Sequence, residues 1–225
     1  NTNTPIYLNA IDGYTGIEMI TNNAGSGNAN QVIRLGHTLV GDVKLGATNG
    51  FDWSNISTLT LTAGATWEIG PDEVYKVFGQ SEIRILGTLF TSGTTADHPA
   101  VFTEFGDNDF GRPTGTVGIT PWEGIYVLSG GSATLDHTVI RYGGDYTEYA
   151  LVWVDDGGSL TLTNSLLEHS ERYGVVVEGV ENPIILNNTI QNCSSYGIYV
   201  YDYDSDNLPV SPEIRGNTIN NTNTP

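Results

Sequence analysis

The chain has very few cysteines and basic residues, and this scarcity excludes several classes of protein. Its 225 residues include one cysteine, Cys193, so an internal disulfide is excluded and this residue is predicted to be small and buried. Eight Lys and Arg stand against 26 Asp and Glu, which gives a formal net charge of −18. A surface this acidic repels nucleic-acid phosphates and anionic membranes. We therefore expect no nucleic-acid partner.

Long apolar runs and helical patterns are also missing. No run approaches the roughly 20 apolar residues that a membrane span needs, so we expect no membrane insertion in this segment. No stretch of a dozen residues repeats apolar positions at the helical spacing. The abundance of Asn, Thr and Gly, with few Lys and strong acidity, indicates an extracellular or cell-surface protein.

Strand-like runs of three to six residues fill the chain instead, and in its carboxy-terminal half they align as repeats. Equivalent motifs begin at Gly131, Gly158, Pro183 and Pro212, and the first three are each followed by a second strand-like run. A variable period in the twenties, with two or three short strands per period, is typical of a β-solenoid. Each rung of such a coil satisfies its backbone N–H and C=O groups by stacking on the next rung, about 4.8 Å away.

Two columns are predicted to run along this stack. We align His137, Asn164, Asn188 and Asn217, which are 27, 24 and 29 residues apart, as a polar ladder at a bend. Asn suits a bend because it tolerates left-handed backbone, and its amide can bond to neighbours along the stack. An internal aliphatic column is predicted from Val139, Leu166, Ile190 and Ile219.

The first five residues, Asn-Thr-Asn-Thr-Pro, recur as the last five, Asn221 to Pro225. Read across that join, the two ends resemble halves of one rung, with Pro5 to Leu8 as the second strand. We predict a single unit over residues 1–225, one period of a tandem array or filament, with residues 10–58 less regular. Its partner would be a further copy of itself, head to tail or in tandem. The predicted end-to-end interface consists of Pro5, Ile6, Tyr7, Leu8, Ile214, Asn217, Ile219 and Asn221.

Over residues 33–225 the chain resembles a known family. The segments that carry the likeness are Leu59–Pro71, Val77–Gly79, Leu86–Leu89, His98–Thr103 and Trp122–Tyr126. They are similar to the right-handed parallel β-helix repeat proteins of bacterial and archaeal surfaces. The resemblance implies an all-β, right-handed parallel β-helix (a β-solenoid). It is less specific for function, because this group includes polysaccharide-active enzymes, phage tailspikes and adhesins.

The catalytic patterns of the related enzymes are not met. Asp155 and Asp156 are an adjacent acidic pair, but they stand where a strand passes into a turn. Arg141 and Arg172 could neutralise the carboxylate of a uronate in a lyase. A groove that binds an acidic polymer should be basic, however, and this chain is strongly acidic. These two arginines are predicted to form surface ion pairs with Glu168, Glu171 or Asp145. We expect no catalytic site.

One segment has the spacing of a cation-binding loop. Asp202, Asp204, Asp206 and Glu213 occupy relative positions 1, 3, 5 and 12, as in an EF-hand loop, although the flanks are strands. We predict calcium as a possible ligand there, with a merely solvated acidic turn as the alternative. The run Asp107–Asp109 is a weaker second candidate.

Two further surface features are predicted. Tyr199, Tyr201 and Tyr203 alternate, so they share one face of a strand and form either a sugar-stacking platform or a lateral packing surface. Asn-x-Ser/Thr sequons, which are candidate glycosylation sites, occur at Asn55, Asn187, Asn192 and Asn220.

These patterns together predict a structural extracellular β-helical protein that forms a surface fibre, stalk or adhesin by end-to-end stacking. The alternative is a carbohydrate-binding or polysaccharide-degrading β-helix domain of a surface protein, with a polysaccharide as partner. Apart from calcium, no cofactor is expected.

Overall fold

The computed structural model describes residues 4–14, 23–45, 51–114, 120–145, 150–180, 182–202 and 210–223. These residues contain 22 strands and no helix. Apart from the first two strands, the described successive strands do not pair with each other; each strand pairs in parallel with a strand one turn of the coil away. This arrangement confirms the predicted parallel β-solenoid.

The coil has three faces. The strands of the first face are β1 (Ile6–Tyr14), β2 (Val32–Leu39), β4 (Asp52–Asn55), β7 (Val74–Val77), β10 (Ala100–Glu104), β13 (Thr138–Arg141), β16 (Leu166–Ser170), β19 (Thr189–Cys193) and β22 (Thr218–Asn220). Those of the second are β5 (Leu59–Leu61), β8 (Glu82–Ile85), β11 (Gly124–Val127), β14 (Ala150–Val154), β17 (Tyr173–Glu178) and β20 (Ile198–Tyr201). Those of the third are β3 (Asp42–Leu45), β6 (Thr66–Ile69), β9 (Thr88–Thr91), β12 (Ser132–Asp136), β15 (Ser159–Thr163), β18 (Ile184–Leu186) and β21 (Glu213–Arg215).

Strand β2 extends over two faces. Its first part pairs with β4 and its last two residues pair with β5, with His37 at a left-handed φ of 67° between them. Because a residue with positive φ turns the chain sharply, this bend separates the first face from the second. The hydrogen-bonded path of the larger sheet therefore passes from one face to the other through β2.

Apolar side chains stack in columns inside the coil. The main column of the first face joins Ile6, Ile33, Trp53, Tyr75, Phe102, Ile140, Leu167, Ile190 and Ile219. Its members from Ile33 to Ile190 are buried. Each fully buried side chain of this size contributes about 1.5–3 kcal/mol through removal of apolar surface from water. These columns are the principal source of stability in a coil made of short strands.

The register corrects the predicted aliphatic column by one residue. Val139 pairs with Leu166, and Leu166 in turn pairs with Thr189 of the next rung. These three side chains lie on the outer side of the sheet. The inward neighbours are Ile140 and Leu167, both fully buried, whereas Leu166 is partly exposed. Side chains alternate along a strand, so an error of one residue moves a side chain to the opposite face.

The polar ladder is displaced in the same way. The left-handed residues at the bend into the first face are His137, Asn164, Asn187 and Gly216, with φ between 45° and 71°. The bonded ladder beside them is Thr138, Ser165, Asn188 and Asn217, in which Asn217 Oδ1 accepts from Asn188 and Asn188 Oδ1 accepts from Ser165 N. The predicted amide bonding along the stack is confirmed, but His137 and Asn164 belong to the left-handed column.

The amino-terminal strand occupies a different face from the one predicted. Ile6 pairs with Ile33, which places Ile6 on the first face and in the same column as Ile219. The alignment of Pro5 to Leu8 with the strands of the second face is therefore wrong, and the two ends are not halves of one rung. Within residues 10–58, the described part includes β2, β3 and β4, which stack in register with later strands. Residues 15–22 and 46–50 lie outside the described residues.

Candidate functional site

The segment 105–114 covers part of the outer side of the first face. Beneath it runs an outward column that joins Arg34, Ser54, Lys76, Thr103, Arg141, Glu168 and Gln191. Arg112 anchors the segment at one end, because its main-chain N and Nη1 donate to the Asp52 carboxylate at 2.5 and 2.8 Å. Gly111 next to it has φ +66°, and a Cβ there would lie 2.4 Å from Asp52 Oδ2. Glycine is therefore the residue that this approach permits.

Lys76 lies fully buried under the segment, and Asp107 is its closest partner. Lys76 Nζ donates to the main-chain oxygen of Asp107 at 2.5 Å. The Asp107 carboxylate accepts from Thr103 Oγ1 at 2.5 Å and from Asp109 N at 2.9 Å. Burial lowers the pKa of Lys76, and Asp52, Asp107 and Glu104 oppose that effect. The lysine thus belongs to a closed network of opposite charges.

Arg141 joins this network at the rim. Its Nε lies 3.3 Å from Glu168 Oε1 and 3.6 Å from Asp107 Oδ2, and Nη2 lies 3.3 Å from Asp109 Oδ2. The predicted partner Glu168 is confirmed, but Arg141 is only 6% exposed, so the predicted surface location is wrong. A loop from another part of the chain covers it, which the local sequence does not reveal.

Two carboxyl groups of this part of the fold are shifted towards neutrality. Burial raises the pKa of Glu104 to about 7, although a hydrogen bond from Gly106 N to its Oε2 at 2.6 Å acts in the opposite direction. Burial likewise raises the pKa of Glu73 to about 7. Both groups are less than 9% exposed. Because substrates would not reach them, we interpret these shifts as a consequence of packing and assign no acid–base catalysis to them.

The weaker calcium candidate at Asp107–Asp109 lies inside the same network. Asp107 and Asp109 both face the guanidinium of Arg141, which supplies the positive charge that a metal ion would bring. Of the main candidate loop, Asp204 and Asp206 lie outside the described residues. Glu213 forms an ion pair with Arg215 at 2.7 Å. Asp202 directly follows β20 and is the last described residue before the loop. Among the described residues, no group of three or more potential ligands surrounds a metal position.

Tyrosines cluster on the outer side of the second face. Tyr196 stacks on Tyr199 at 5.1 Å and on Tyr173 at 5.8 Å, and Tyr199 contacts Tyr201 at 4.9 Å between ring centroids. The Arg172 guanidinium lies over Tyr173 at 4.8 Å, so this arginine contacts a ring where an ion pair was predicted. The predicted common face of Tyr199 and Tyr201 is confirmed, and Tyr203 lies outside the described residues.

This stacking limits what the tyrosines can bind. A sugar ring packs on the open face of an aromatic ring, but here ring faces already contact one another along the stack. A passing ligand would meet ring edges and hydroxyl groups. The arrangement suits lateral packing against another protein surface better than a row of sugar-stacking faces.

A shallow groove of about 300 Å³ lies at the bend into the first face. Its floor includes the outward side chains of Val139 and Leu166, and its rim includes His137 and Asn164. Asp136 holds the rim, since its carboxylate accepts from Asn164 Nδ2 at 2.8 Å and lies 2.7 Å from His137 Nδ1. An apolar floor with a polar rim is a common form of ligand-binding groove.

The other sequence-predicted residues lie apart from these features. Asp155 and Asp156 are in the turn after β14, where Asp156 N donates to Asp155 Oδ1 at 3.0 Å. Cys193 is 2% exposed, which confirms the expected buried thiol, and burial raises its pKa to about 11.

Of the four sequons, Asn55 is inaccessible, because it is fully buried and its Nδ2 donates to Ser57 O at 2.7 Å. Asn187 and Asn220 are exposed and Asn192 is partly exposed, and all three stay predictions.

The sequence pattern does not indicate that Lys76 and Arg34 are covered by another segment. Both stand at outward positions of short strands, where a solvated charge is the ordinary expectation. A usable signal was the length of the segment between β10 and β11, which runs from residue 105 to 123. An insertion this long must lie against some face of the coil and can bury the charges beneath it.

Comparison with known proteins agrees with the architecture. Residues 118–224 match the family model described as a right-handed β-helix region. No curated protein and no solved structure matches the chain. Among the described residues, no helix is long and apolar enough to cross a membrane. The parallel stacking continues on the amino-terminal side of the matched segment in the same columns. The chain therefore has the fold of a right-handed parallel β-helix, and its residues 118–224 match the family of that name.

Proposed function

We propose that this protein is a structural segment of an extracellular fibre, stalk or adhesin of a bacterial or archaeal surface, extended by further rungs of the same coil. The observation that carries the proposal is the column from Ile6 to Ile219, which has one member in each of nine first-face strands. A rod of this kind contributes length and stiffness, and its mechanism is repetition.

The strands at the carboxy-terminal side support addition of a further rung. Within the described residues, β21 pairs only with β18 and β22 only with β19, so each has one ladder edge towards the next rung. Ile214, which ends an internal column of the third face, is 39% exposed. A rung placed there would pair those N–H and C=O groups and bury the isoleucine.

The column positions favour separate copies over the predicted array that shares Asn-Thr-Asn-Thr-Pro. In that array, Ile219 and Ile6 would be seven positions apart along the chain. Successive members of the column, Ile140, Leu167, Ile190 and Ile219, are 27, 23 and 29 residues apart because the chain must pass the other two faces first. Head-to-tail stacking would instead place Ile6 of one copy over Ile219 of the next. Such a contact does not close on itself and produces a filament.

Negative-stain electron microscopy at neutral pH tests this proposal. We expect filaments with an axial repeat of about 43 Å, from nine rungs at about 4.8 Å each. Ile219→Lys should abolish them, because a buried ammonium would meet the next rung. Thr134→Lys, at an exposed position in the middle of the third face, is the matched control and should leave them intact. Isolated particles under every condition, or filaments that survive Ile219→Lys, would contradict end-to-end stacking of copies.

The proposal is supported by the absence of an assembled catalytic group among the described residues. Asp155 and Asp156 bond within their own turn, and Arg141 is enclosed by carboxylates. The net charge of −18 suits a soluble surface that repels its neighbours and acidic polymers alike. An extracellular location is part of the proposal, and the acidic composition supports it.

Polysaccharide binding is the second candidate function, and the groove of Val139, Leu166, His137 and Asn164 favours it. Leu166→Arg would fill that groove with a bulky charge, whereas Thr134→Arg leaves it unchanged. A panel of neutral and acidic polysaccharides in affinity electrophoresis tests this function. Retardation of the parent chain and of Thr134→Arg, but not of Leu166→Arg, would support it, and no retardation would exclude it for the panel.

A further inference from the structure

Arg34 differs from most of the other basic side chains described. Lys44, Arg84, Arg112, Arg141 and Arg215 each contact a carboxylate within 4 Å. Arg34 has no such partner among the described residues, and its Nε is buried without a hydrogen bond. In a chain with 26 acidic residues, a guanidinium that contacts no described carboxylate is unusual.

Aromatic rings support Arg34 from one side. Its Cζ lies 4.9 Å from the ring centroid of Phe105 and 5.7 Å from that of Phe78. Stacking of this kind orients a guanidinium and offsets part of its desolvation. It offers no hydrogen-bond acceptor to the N–H groups. Burial lowers the pKa of Arg34, with Tyr7 acting in the opposite direction. The guanidinium is therefore oriented and partly desolvated, and its Nε–H has no hydrogen-bond acceptor.

A pocket opens beside the Arg34 side chain. It has a volume of about 250 Å³ and is lined, in the described part of the chain, by Thr4, Tyr7, Arg34 and Ile56. Two of these residues carry hydroxyl groups that can donate or accept. Ile56 is apolar and 36% exposed. The pocket thus combines one positive fork, two hydroxyls and one apolar wall.

We propose that this pocket binds a small monocarboxylate that carries a ring or another compact apolar part. The carboxylate would accept two parallel hydrogen bonds from the Arg34 fork, and Thr4 or Tyr7 would bond to a second polar group. Arginine matches the planar geometry of a carboxylate. A single guanidinium also matches a single negative charge, and the acidic surface as a whole disfavours more highly charged anions. This inference is independent of the fibre proposal.

Titration of the intact chain with matched pairs of probes tests it. Benzoate and glucuronate carry the carboxylate on an aromatic ring and on a sugar, and benzamide and glucose are their neutral counterparts. We expect saturable binding of at least one carboxylate by calorimetry, with a shift of the Arg34 Nε–Hε signal in NMR. The neutral counterpart should not bind. The carboxylate that binds more tightly identifies the kind of ring that the pocket accepts.

Arg34→Met retains a long apolar stem on Phe78 and Phe105 but removes the fork. It should weaken carboxylate binding about tenfold or more, the usual effect of losing charged hydrogen bonds. Arg215→Met, at an exposed ion pair with Glu213, is the control and should bind as the parent does. Should Arg34→Met fail to fold, the NMR shift in the parent chain decides. The proposal is overturned by absence of saturable binding, by equal binding of the neutral probes, or by an unmoved Arg34 signal.

Discussion

Asn217 Oδ1 accepts two hydrogen bonds from Asn188, the equivalent residue of the preceding rung. The donors are the main-chain N at 2.9 Å and the side-chain Nδ2 at 3.0 Å. Asn188 Nδ2 also donates to Leu162 O at 2.9 Å, and Asn188 Oδ1 accepts from Ser165 N at 2.9 Å. One amide therefore joins consecutive rungs. With 1% of Asn188 exposed, water cannot replace these partners.

Replacement of Asn188 by Asp should be strongly destabilising. The variant replaces the Nδ2 donor with an acceptor that faces Leu162 O and Asn217 Oδ1. We expect the free energy of unfolding to fall by about 2–4 kcal/mol, as for a buried group left without its partners. Denaturant unfolding followed by circular dichroism measures this change. Asn187→Asp, at the exposed left-handed position next to it, should change stability by about 0.5 kcal/mol or less. Similar losses in the two variants would show that the ladder has no special role.

Two lysine variants test the covered charge network. Lys76→Met removes the buried ammonium, which leaves the Asp107 main-chain oxygen without its donor and the buried carboxylates nearby with less positive charge, so a loss of about 3–5 kcal/mol is expected. Lys44→Met breaks the ion pair with Glu68, in which the Lys44 side chain is 57% exposed. This change should lower the free energy of unfolding by about 1 kcal/mol or less. Thermal and denaturant unfolding would compare them. A small effect at Lys76 would mean that the segment 105–114 does not depend on this contact.

Glu104 should make the fold pH-dependent in a defined window. Because burial raises its pKa from 4.5 to about 7, its stabilising contribution is complete below about 4.5 and is lost as the pH rises to about 7. The free energy of unfolding of Glu104→Gln should therefore increase relative to that of the parent chain across this interval, by on the order of 1–3 kcal/mol. Unfolding free energies at pH 4.5, 6 and 8 provide the comparison, with the exposed Glu171→Gln as control. A constant difference between parent and Glu104→Gln would refute the shift.

Cys193 should be chemically inert in the folded protein. Burial raises the pKa of its thiol to about 11 and leaves 2% of the residue exposed, and the reactive species is the thiolate. Iodoacetamide at pH 8 should label it only after addition of denaturant. Mass spectrometry of the intact chain over time measures the labelling. Rapid labelling without denaturant would indicate that the carboxy-terminal rungs open readily.

The loop from Asp202 to Glu213 allows a direct test of calcium. If these acids bind the ion, calcium should raise the melting temperature. At a hundredfold excess over the Kd, the free energy of unfolding should increase by about 2.7 kcal/mol. Asp204→Asn with Asp206→Asn should abolish the rise, and Asp97→Asn, an exposed acid elsewhere, should not. A melting temperature that is insensitive to calcium and chelator would leave the loop as a solvated acidic turn.

The sequence by itself determined the fold class and the approximate number of residues in each rung. Short alternating apolar runs, broken by Gly and Asn at intervals in the twenties, have few alternatives to a stacked coil. Strands of the second and third faces pair as their local patterns indicate. The paired positions are Val152, Val175 and Ile198 on the second face, and Leu162, Ile185 and Ile214 on the third. Such positions are readable because burial on one side of a strand leaves a period of two.

Only the tertiary structure decided the register at the bends and the burial of charge. A left-handed residue at Asn187, one position before the bonded Asn188, shifts the pleat by one residue, and Asn at both positions hides the difference. Ile6 joined the first face through pairing with a strand 27 residues away, which no local pattern specifies. Lys76 and Arg141 became buried because the segment 105–114 folds over them. Contacts between distant segments depend on the path of the whole coil, whereas the alternation that predicts the coil is local.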